Sequence, residues 1–206
     1  MIRVYRIPYS TNVERVALAA GHKRLAVEWL DVDPDDRAPV RAVSGQDLVP
    51  VAVFDDGEVV ADSTRILEAV EKRHPDPPLY PREEAPQAEM RLFIEWFNRV
   101  WKRAPNELEA ELRNGRPDAE KAAALAGELS GSRDFFEALL AGRDYLLGHG
   151  LSAADCAAFP FLKYGLLYDP QDDELFHRIL AEHLAFDRRY PRLAAWVRRV
   201  DAHPRA

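Results

Sequence analysis

The alternation of apolar and polar positions predicts a mixture of strands and helices over the first 75 residues. Residues 2–7 alternate apolar and basic side chains, which is typical of a half-buried strand. Residues 13–20 carry apolar side chains at helical spacing, and residues 26–32 form a second strand-like run. The polar stretch 33–46 contains two prolines and has room for one short helix. We therefore expect strand, helix, strand and short helix in this order.

A β-hairpin is predicted next, because two β-branched runs flank the turn Asp55-Asp56-Gly57. Pro50 opens the first of these strands, where its missing N–H interrupts no ladder. The second strand leads into Asp62-Ser63, which are good helix N-cap residues, and then into a helical pattern. The predicted order is β-α-β-α-β-β-α. The β-α-β unit supplies a parallel pair of strands and the hairpin an antiparallel pair, so the sheet should be mixed.

Prolines mark the end of this first part. The segment His74-Pro75-Asp76-Pro77-Pro78 holds three prolines in four residues, which cannot continue a helix and form a stiff connection. We therefore predict a domain over residues 1–75, a linker over residues 76–86 and a second domain over residues 87–206.

The second part shows no strand pattern and is predicted to be all-helical. Apolar side chains recur at helical spacing from residue 85 to 101 and from residue 118 to 141, the latter interrupted by the weak helix formers Ser130-Gly131-Ser132. Ser152 and Asp155 have the spacing of a capping box at the start of another apolar helix. The predicted fold class is thus an α/β domain followed by an all-α domain.

Composition narrows the functional classes. The chain has 206 residues, of which 47% are hydrophobic and 31% charged, as in ordinary globular proteins. The net charge of -7 is spread over both halves, so we predict no nucleic-acid surface. No apolar run has the length of a membrane span, and the six histidines have no metal-ligand spacing. The single cysteine, Cys156, and the absence of a signal-peptide pattern lead us to expect a cytoplasmic protein.

Candidate chemistry lies at the junction of the first strand and the first helix. Ser10 can either cap that helix or donate a hydrogen bond to an anion held at its positive end. Asn12 adds an amide donor to the same turn, and Tyr5 and Tyr9 are rival hydroxyl donors. No histidine is close in sequence, so a serine nucleophile with a histidine base has no local support.

Four segments in this order resemble the cytosolic glutathione transferase family, and the likeness covers nearly the whole chain. They are Leu48-Val49-Pro50-Val51, Asp62-Ser63, Ser152 to Asp155, and Tyr190 to Val197. The resemblance implies a thioredoxin-like first domain in which the Val49-Pro50 peptide bond is cis. It also implies that the backbone before the proline pairs with the cysteinyl part of glutathione, and that Asp62 and Ser63 hold its γ-glutamyl carboxylate.

The first turn resembles two groups within this family. Ser10 takes the position of the serine in tau- and zeta-like members, and Asn12 matches the asparagine that helps bind the thiol in bacterial Nu-class members. The implied activity is conjugation of the glutathione thiolate, activated by Ser10, to a small apolar electrophile in detoxification, with glutathione as cosubstrate and no metal. A homodimer is also implied. The candidates for the second-substrate pocket are Tyr9, Phe97, Trp101, Tyr164 and Tyr168.

Two other functions fit the same resemblance. Nu-like members reduce disulfides with two glutathiones and need no enzyme cysteine. Other proteins with this fold bind or assemble without catalysis, and these often lose the first-turn hydroxyl or the acid-serine pair. This chain keeps Ser10 and Asp62-Ser63, which favours an enzyme.

Overall fold

The computed structural model describes residues 1–206, which form two compact units. The first unit comprises Met1–Glu83 together with Ala202–Ala206, and the second comprises Glu84–Asp201. None of the helices is both long and apolar enough to span a membrane.

The first unit has the predicted order β-α-β-α-β-β-α, which confirms the predicted fold class. Its elements are β1 (Ile2–Arg6), α1 (Thr11–His22), β2 (Val27–Asp31), α2 (Ala38–Ser44), β3 (Val51–Val53), β4 (Val59–Ala61) and α3 (Ser63–Arg73). The strands form one mixed sheet in the order β2-β1-β3-β4. The pair β1/β2 is parallel, whereas β1/β3 and β3/β4 are antiparallel.

The sheet is covered on both faces. Helices α1 and α3 pack against each other with buried apolar side chains that include Leu18, Ile66 and Val70. A separate apolar cluster contains Ile7, Val32, Val40 and Val51 and involves α2. Burial of these side chains is the dominant favourable contribution to folding of this unit.

A buried lysine at the end of α1 fixes the segment that follows α3. The Lys23 side chain is fully buried, and its Nζ lies 2.6 Å from Glu71 Oε2. It also donates hydrogen bonds to the carbonyl oxygens of His74, at 2.6 Å, and Pro77, at 2.8 Å. Glu71 in turn accepts a hydrogen bond from the backbone N–H of Leu79 at 3.1 Å. The proline-rich segment is thus held against the first unit by a satisfied buried ion pair.

The segment Ala202–Ala206 also packs against the first unit. The backbone N–H of Ala206 donates to the carbonyl oxygen of Ala17 at 3.1 Å, and Trp29 Nε1 donates to the Ala206 carbonyl oxygen at 3.0 Å. A Cβ on Gly21 would lie only 2.1 Å from a carbonyl oxygen of this segment. A glycine at position 21 is therefore required for the close approach.

The second unit is all-helical, as predicted. It contains α4 (Glu84–Trp96), a π-helical turn (Phe97–Trp101), α5 (Arg103–Arg113), α6 (Ala119–Leu139), α7 (Ala153–Leu162), α8 (Tyr164–Leu167), α9 (Leu175–Leu184) and α10 (Pro191–Asp201). The expected interruption at residues 130–132 is wrong, because α6 continues through it. Ser132 is accommodated there by a hydrogen bond from its Oγ to the Leu129 carbonyl oxygen at 2.7 Å.

A buried carboxylate organises the second unit. The predicted capping box at α7 is confirmed, with Asp155 bonding both the N–H and the Oγ of Ser152. The same carboxylate also accepts from the Leu146 N–H at 2.9 Å and from Trp196 Nε1 at 2.8 Å. Burial raises the pKa of Asp155, and these hydrogen bonds act in the opposite direction. One side chain therefore joins the start of α7, the preceding loop and α10.

Candidate functional site

The strand register brings the predicted site segments of the first unit to one edge of the sheet. Val51 at the start of β3 lies opposite Tyr5 near the end of β1 and opposite Ala61 at the end of β4. The residues that precede β3 must therefore lie at the same edge as the residues that follow β1 and β4. Those residues include Val49-Pro50, Ser10 and Asp62-Ser63.

The backbone next to Pro50 offers a short open strand edge. The Val49-Pro50 peptide bond is cis, as the family resemblance implies. The Leu48 N–H donates to Gln46 Oε1 at 2.6 Å, and the Leu48 carbonyl oxygen accepts from Gln46 Nε2 at 2.9 Å. By contrast, none of the backbone hydrogen bonds around this segment uses the N–H or the carbonyl oxygen of Val49. The Val49 N–H can therefore donate a hydrogen bond to an extended peptide, and the Val49 carbonyl oxygen can accept one, as the backbone of an edge strand does.

Asp62 is a helix cap in an unusual backbone conformation. Its φ of 79° lies in a region that residues other than glycine rarely adopt. Its Oδ1 accepts from the N–H groups of Thr64 at 2.9 Å and Arg65 at 3.1 Å, which caps α3 and fixes the conformation. The exposed carboxylate is directly followed by the buried Ser63 at the first position of α3. Strained residues of this kind are typical of functional sites.

A buried arginine that sequence reasoning missed contacts Ser63. Arg15 lies on α1 with only 1% of its surface exposed, and its Nη1 donates to Ser63 Oγ at 3.3 Å. The signal in the sequence was its spacing, four residues after Thr11 and three before Leu18, two other buried positions of α1. Helical periodicity placed it on an inner face, but its charge suggested an exposed position.

Ser10 is the N-cap residue of α1 but does not cap it with its side chain. Its carbonyl oxygen accepts from the N–H groups of Val13 at 3.0 Å and Glu14 at 3.1 Å, whereas its hydroxyl makes no cap hydrogen bond. The hydroxyl lies at the positive end of a 12-residue helix and can donate to an anion there. Asn12 is half-buried on the first turn of the same helix.

The two rival tyrosines occupy different environments. Tyr5 is partly buried and packs against the apolar cluster next to α2. Tyr9 is exposed over 44% of its surface. Tyr5 belongs to β1 and Tyr9 to the turn before α1, so both stay rival candidates to Ser10 as the hydroxyl donor.

Two of the predicted second-substrate residues are in the aromatic core of the second unit. The rings of Phe97 and Trp101 are stacked with their centroids 4.5 Å apart, and both residues are buried. Phe136 and Phe161 pack edge-on against this pair. Such arrangements contribute to stability through burial and favourable ring geometry.

Tyr164 and Tyr168 lie around α8. The Tyr164 ring is buried and stacks on the His177 ring at a centroid distance of 4.3 Å. The half-buried Tyr168 donates its hydroxyl hydrogen to the Asp172 carbonyl oxygen at 2.7 Å. Of these candidates, Tyr9 and Tyr168 retain the most side-chain surface for a ligand, and the composition of the second-substrate pocket stays a prediction.

Comparison with known proteins identifies the family. Residues 4–78 match the family described as "Glutathione S-transferase, N-terminal domain", and residues 90–204 match the corresponding C-terminal domain. Among curated proteins, FtsZ-localized protein A of Caulobacter vibrioides is 30% identical over 166 residues, covering 75% of this chain and 73% of that protein.

Solved structures agree with this assignment. A glutathione S-transferase from Methylobacterium radiotolerans in complex with glutathione sulfonate is 25% identical, with a TM-score of 0.76 over 98% of this chain and 91% of its own. The tau-class enzyme from mango, at 16% identity, shares the fold with a TM-score of 0.80 over 98% of this chain and 89% of its own. The chain belongs to the glutathione S-transferase family.

Proposed function

We propose that this chain is a glutathione transferase that joins the glutathione thiolate to a small apolar electrophile. The proposal rests on one observation, that three features lie at the same edge of the sheet. These are the open backbone of Val49 before cis-Pro50, the capped start of α3 at Asp62-Ser63, and the uncommitted hydroxyl of Ser10 at the start of α1.

The features bind different parts of the glutathione tripeptide. The backbone N–H and carbonyl oxygen of Val49 pair with the cysteinyl residue in the manner of a strand edge. The Ser63 hydroxyl and N–H, at the positive end of α3, hold the γ-glutamyl carboxylate. The Asp62 carboxylate attracts the γ-glutamyl ammonium group, and Arg15 orients the Ser63 hydroxyl through its hydrogen bond.

The chemical step needs an ionised thiol. A free thiol has a pKa of about 8.5 and is therefore only a few per cent ionised at neutral pH. A hydrogen bond from Ser10 and the positive end of α1 stabilise the thiolate, while the thiol proton passes to solvent. The sulfur then forms a bond to the electrophilic carbon, and a leaving group departs with its bonding electrons or the carbon's π electrons shift to a neighbouring atom. Asn12 helps to hold the thiol in the same turn.

A second function has a specific observation in its favour. The curated relative that matches most of the chain is named FtsZ-localized protein A, a name that describes localisation with another protein rather than catalysis. The alternative is therefore a protein with this fold that binds a protein partner without conjugating a thiol. Retention of Ser10, Asp62 and Ser63 supports the enzyme over this alternative.

Glutathione-affinity chromatography followed by two activity assays tests the proposal. The enzyme should be retained on immobilised glutathione, eluted by free glutathione, and active with a chromogenic aryl halide. Turnover of a dialkyl disulfide without conjugation would instead indicate the glutathione-dependent reductase. Loss of retention and of both activities would favour the binding protein.

The proposal also covers the oligomeric state of the protein and its cellular compartment. We expect a homodimer in the cytoplasm that acts in detoxification, in keeping with the family resemblance and the single buried cysteine. Light scattering at micromolar concentration measures the assembly state, and a monomer would contradict this part of the proposal.

A further inference from the structure

An exposed leucine stands next to the proposed cysteinyl contact. Leu48 is 77% exposed, more than any other large apolar residue of the chain. Its position is fixed, because the Gln46 side chain bonds both its N–H and its carbonyl oxygen. Gln46 Nε2 also donates to Ser44 Oγ at 2.9 Å, which ties this arrangement to the end of α2. The backbone of the residue directly before Val49 is therefore held in place, and the side chain that it presents next to the proposed contact is apolar and exposed.

The direction of the tripeptide follows from the strand register, if the proposed function holds. Val51 lies opposite Ala61, so the antiparallel register continued by two residues brings Val49 towards Ser63. With the γ-glutamyl end at Ser63 and the cysteine on Val49, the remaining residue extends towards Leu48, away from β3. One extended residue spans about 3.3 Å, so the C-terminal glycyl group lies beside Leu48.

The charged side chains of Arg41 and Asp47, close to the proposed position of the glycyl group, neutralise each other. Arg41 Nε lies 2.8 Å from Asp47 Oδ1, and Arg41 Nη2 lies 2.8 Å from Asp47 Oδ2, a bidentate pair. The hydrogen bonds from Arg41 hold the pKa of Asp47 below its usual range, so this carboxylate is charged at neutral pH. The neighbouring Arg37 donates from its Nε to the Pro34 carbonyl oxygen at 2.8 Å. The fork of Arg41 is therefore engaged by Asp47, and the pair presents no net charge to a carboxylate bound nearby.

We propose that Leu48 and the Arg41–Asp47 pair make the site indifferent to charge at the C-terminal end of its thiol cosubstrate. The substrate class is then γ-glutamylcysteinyl thiols in general. Those whose C-terminal group is a neutral amide or ester bind as well as glutathione, because recognition rests on the γ-glutamyl and cysteinyl parts.

Calorimetric titration of the full chain with two probes tests this inference. The probes are glutathione and its monoethyl ester, in which the glycyl carboxylate is blocked. Their dissociation constants should agree within about threefold, since no charge-assisted hydrogen bond to the glycyl end is lost. A preference of about tenfold or more for glutathione, the size of one such bond, would overturn the inference. Failure of both probes to bind would overturn the proposed function and this inference with it.

Two variants locate the effect. Leu48→Lys supplies a cation beside the glycyl group, and Asp47→Asn releases Arg41, so each should create a preference of about tenfold for glutathione over the ester. Asp187→Asn is the matched control, because it releases the exposed Arg189 of the second unit and should leave the ratio unchanged. An unchanged ratio in both Leu48→Lys and Asp47→Asn would show that the glycyl end lies elsewhere.

Discussion

Arg15 Nη1 donates a hydrogen bond to Ser63 Oγ at 3.3 Å, and both residues are almost fully buried. This contact joins α1 to α3, the two helices whose N-termini border the proposed glutathione site. Burying a guanidinium costs free energy that its hydrogen bonds offset, so the bond to Ser63 should restrict how the two helices can move apart. Stability and thiol binding should therefore depend on the same side chain.

Arg15→Met tests that dependence. The substitution keeps an unbranched side chain but removes the charged donor, so the free energy of unfolding should fall by about 1–3 kcal/mol. Affinity for glutathione should fall as well, because the Ser63 hydroxyl loses its orienting partner. Urea denaturation and calorimetric titration measure the two effects. Lys72→Met, at an exposed position of α3, is the control and should change stability by less than about 0.5 kcal/mol. Wild-type stability and affinity in Arg15→Met would contradict the proposed coupling.

The first unit was predictable because its signals are local. The turn Asp55-Asp56-Gly57, the proline at position 50 and the cap residues Asp62-Ser63 each specify their own element within a few residues. The contacts of Arg15 and Lys23 were not predictable, because their partners Ser63 and Glu71 lie 48 residues further along the chain. Periodicity gives the face of a helix but not the identity of a distant partner.

The aromatic residues show a second limit of sequence reasoning. Phe97 and Trp101 have the helical spacing that both a core and a ligand pocket require, and the structure places both in a stacked core pair. The continuity of α6 through Ser130-Gly131-Ser132 has a similar origin, because tertiary packing outweighs a helix propensity deficit of about 1 kcal/mol per glycine.

Asp155→Ala should destabilise the protein more than the loss of an ordinary helix cap does. Removing this carboxylate leaves the N–H groups of Leu146 and Ser152 and the Trp196 Nε1–H without their buried acceptor. We expect a loss of about 3 kcal/mol or more in the free energy of unfolding, since each stranded donor costs about 1–3 kcal/mol.

Asp118→Ala is the matched control for this experiment. Asp118 caps α6 by accepting from the N–H groups of Glu120 and Lys121, but it is exposed, so its loss should cost about 0.5–2 kcal/mol. Urea denaturation compares the two variants. Equal losses would mean that the Leu146 and Trp196 contacts add nothing to the capping box.

The free energy of unfolding should decrease as the pH falls, because His22 becomes protonated. Burial lowers the pKa of His22, the Pro78 carbonyl raises it, and the charges of His203 and Lys23 lower it further. The His22 imidazole therefore binds a proton more readily in the unfolded chain, where its pKa is about 6.5, than in the folded protein. The stability contributed by neutral His22 is present above that pH and is lost as the pH falls towards the folded-state pKa.

Thermal denaturation between pH 7.5 and pH 5 measures this contribution. His22→Gln should lose less stability over this range than the wild type, because it has no imidazole to protonate. His149→Gln, which removes an exposed imidazole of the second unit, is the control. The same loss in His22→Gln and the wild type would show that another group dominates the acid sensitivity.

The Ser10 hydroxyl should determine the rate of conjugation rather than the binding of glutathione. Ser10→Ala should reduce turnover at neutral pH by about 10- to 1000-fold, the range for removal of one preorganised donor. The dissociation constant of glutathione should change little, because Val49, Asp62 and Ser63 still hold the tripeptide. Ser10→Thr keeps a hydroxyl and should retain most of the activity.

The pH–rate profile separates this role from a structural one. The deficit of Ser10→Ala should shrink as the pH rises towards about 8.5, where the thiol ionises without help, whereas a folding defect would persist at every pH. Tyr5→Phe and Tyr9→Phe remove the rival hydroxyls, and Asn12→Ala tests the amide. Full activity in Ser10→Ala together with collapse in one tyrosine variant would assign thiol activation to that tyrosine. The site at the sheet edge would then be unchanged, since Tyr5 and Tyr9 belong to the strand and turn that lead to Ser10.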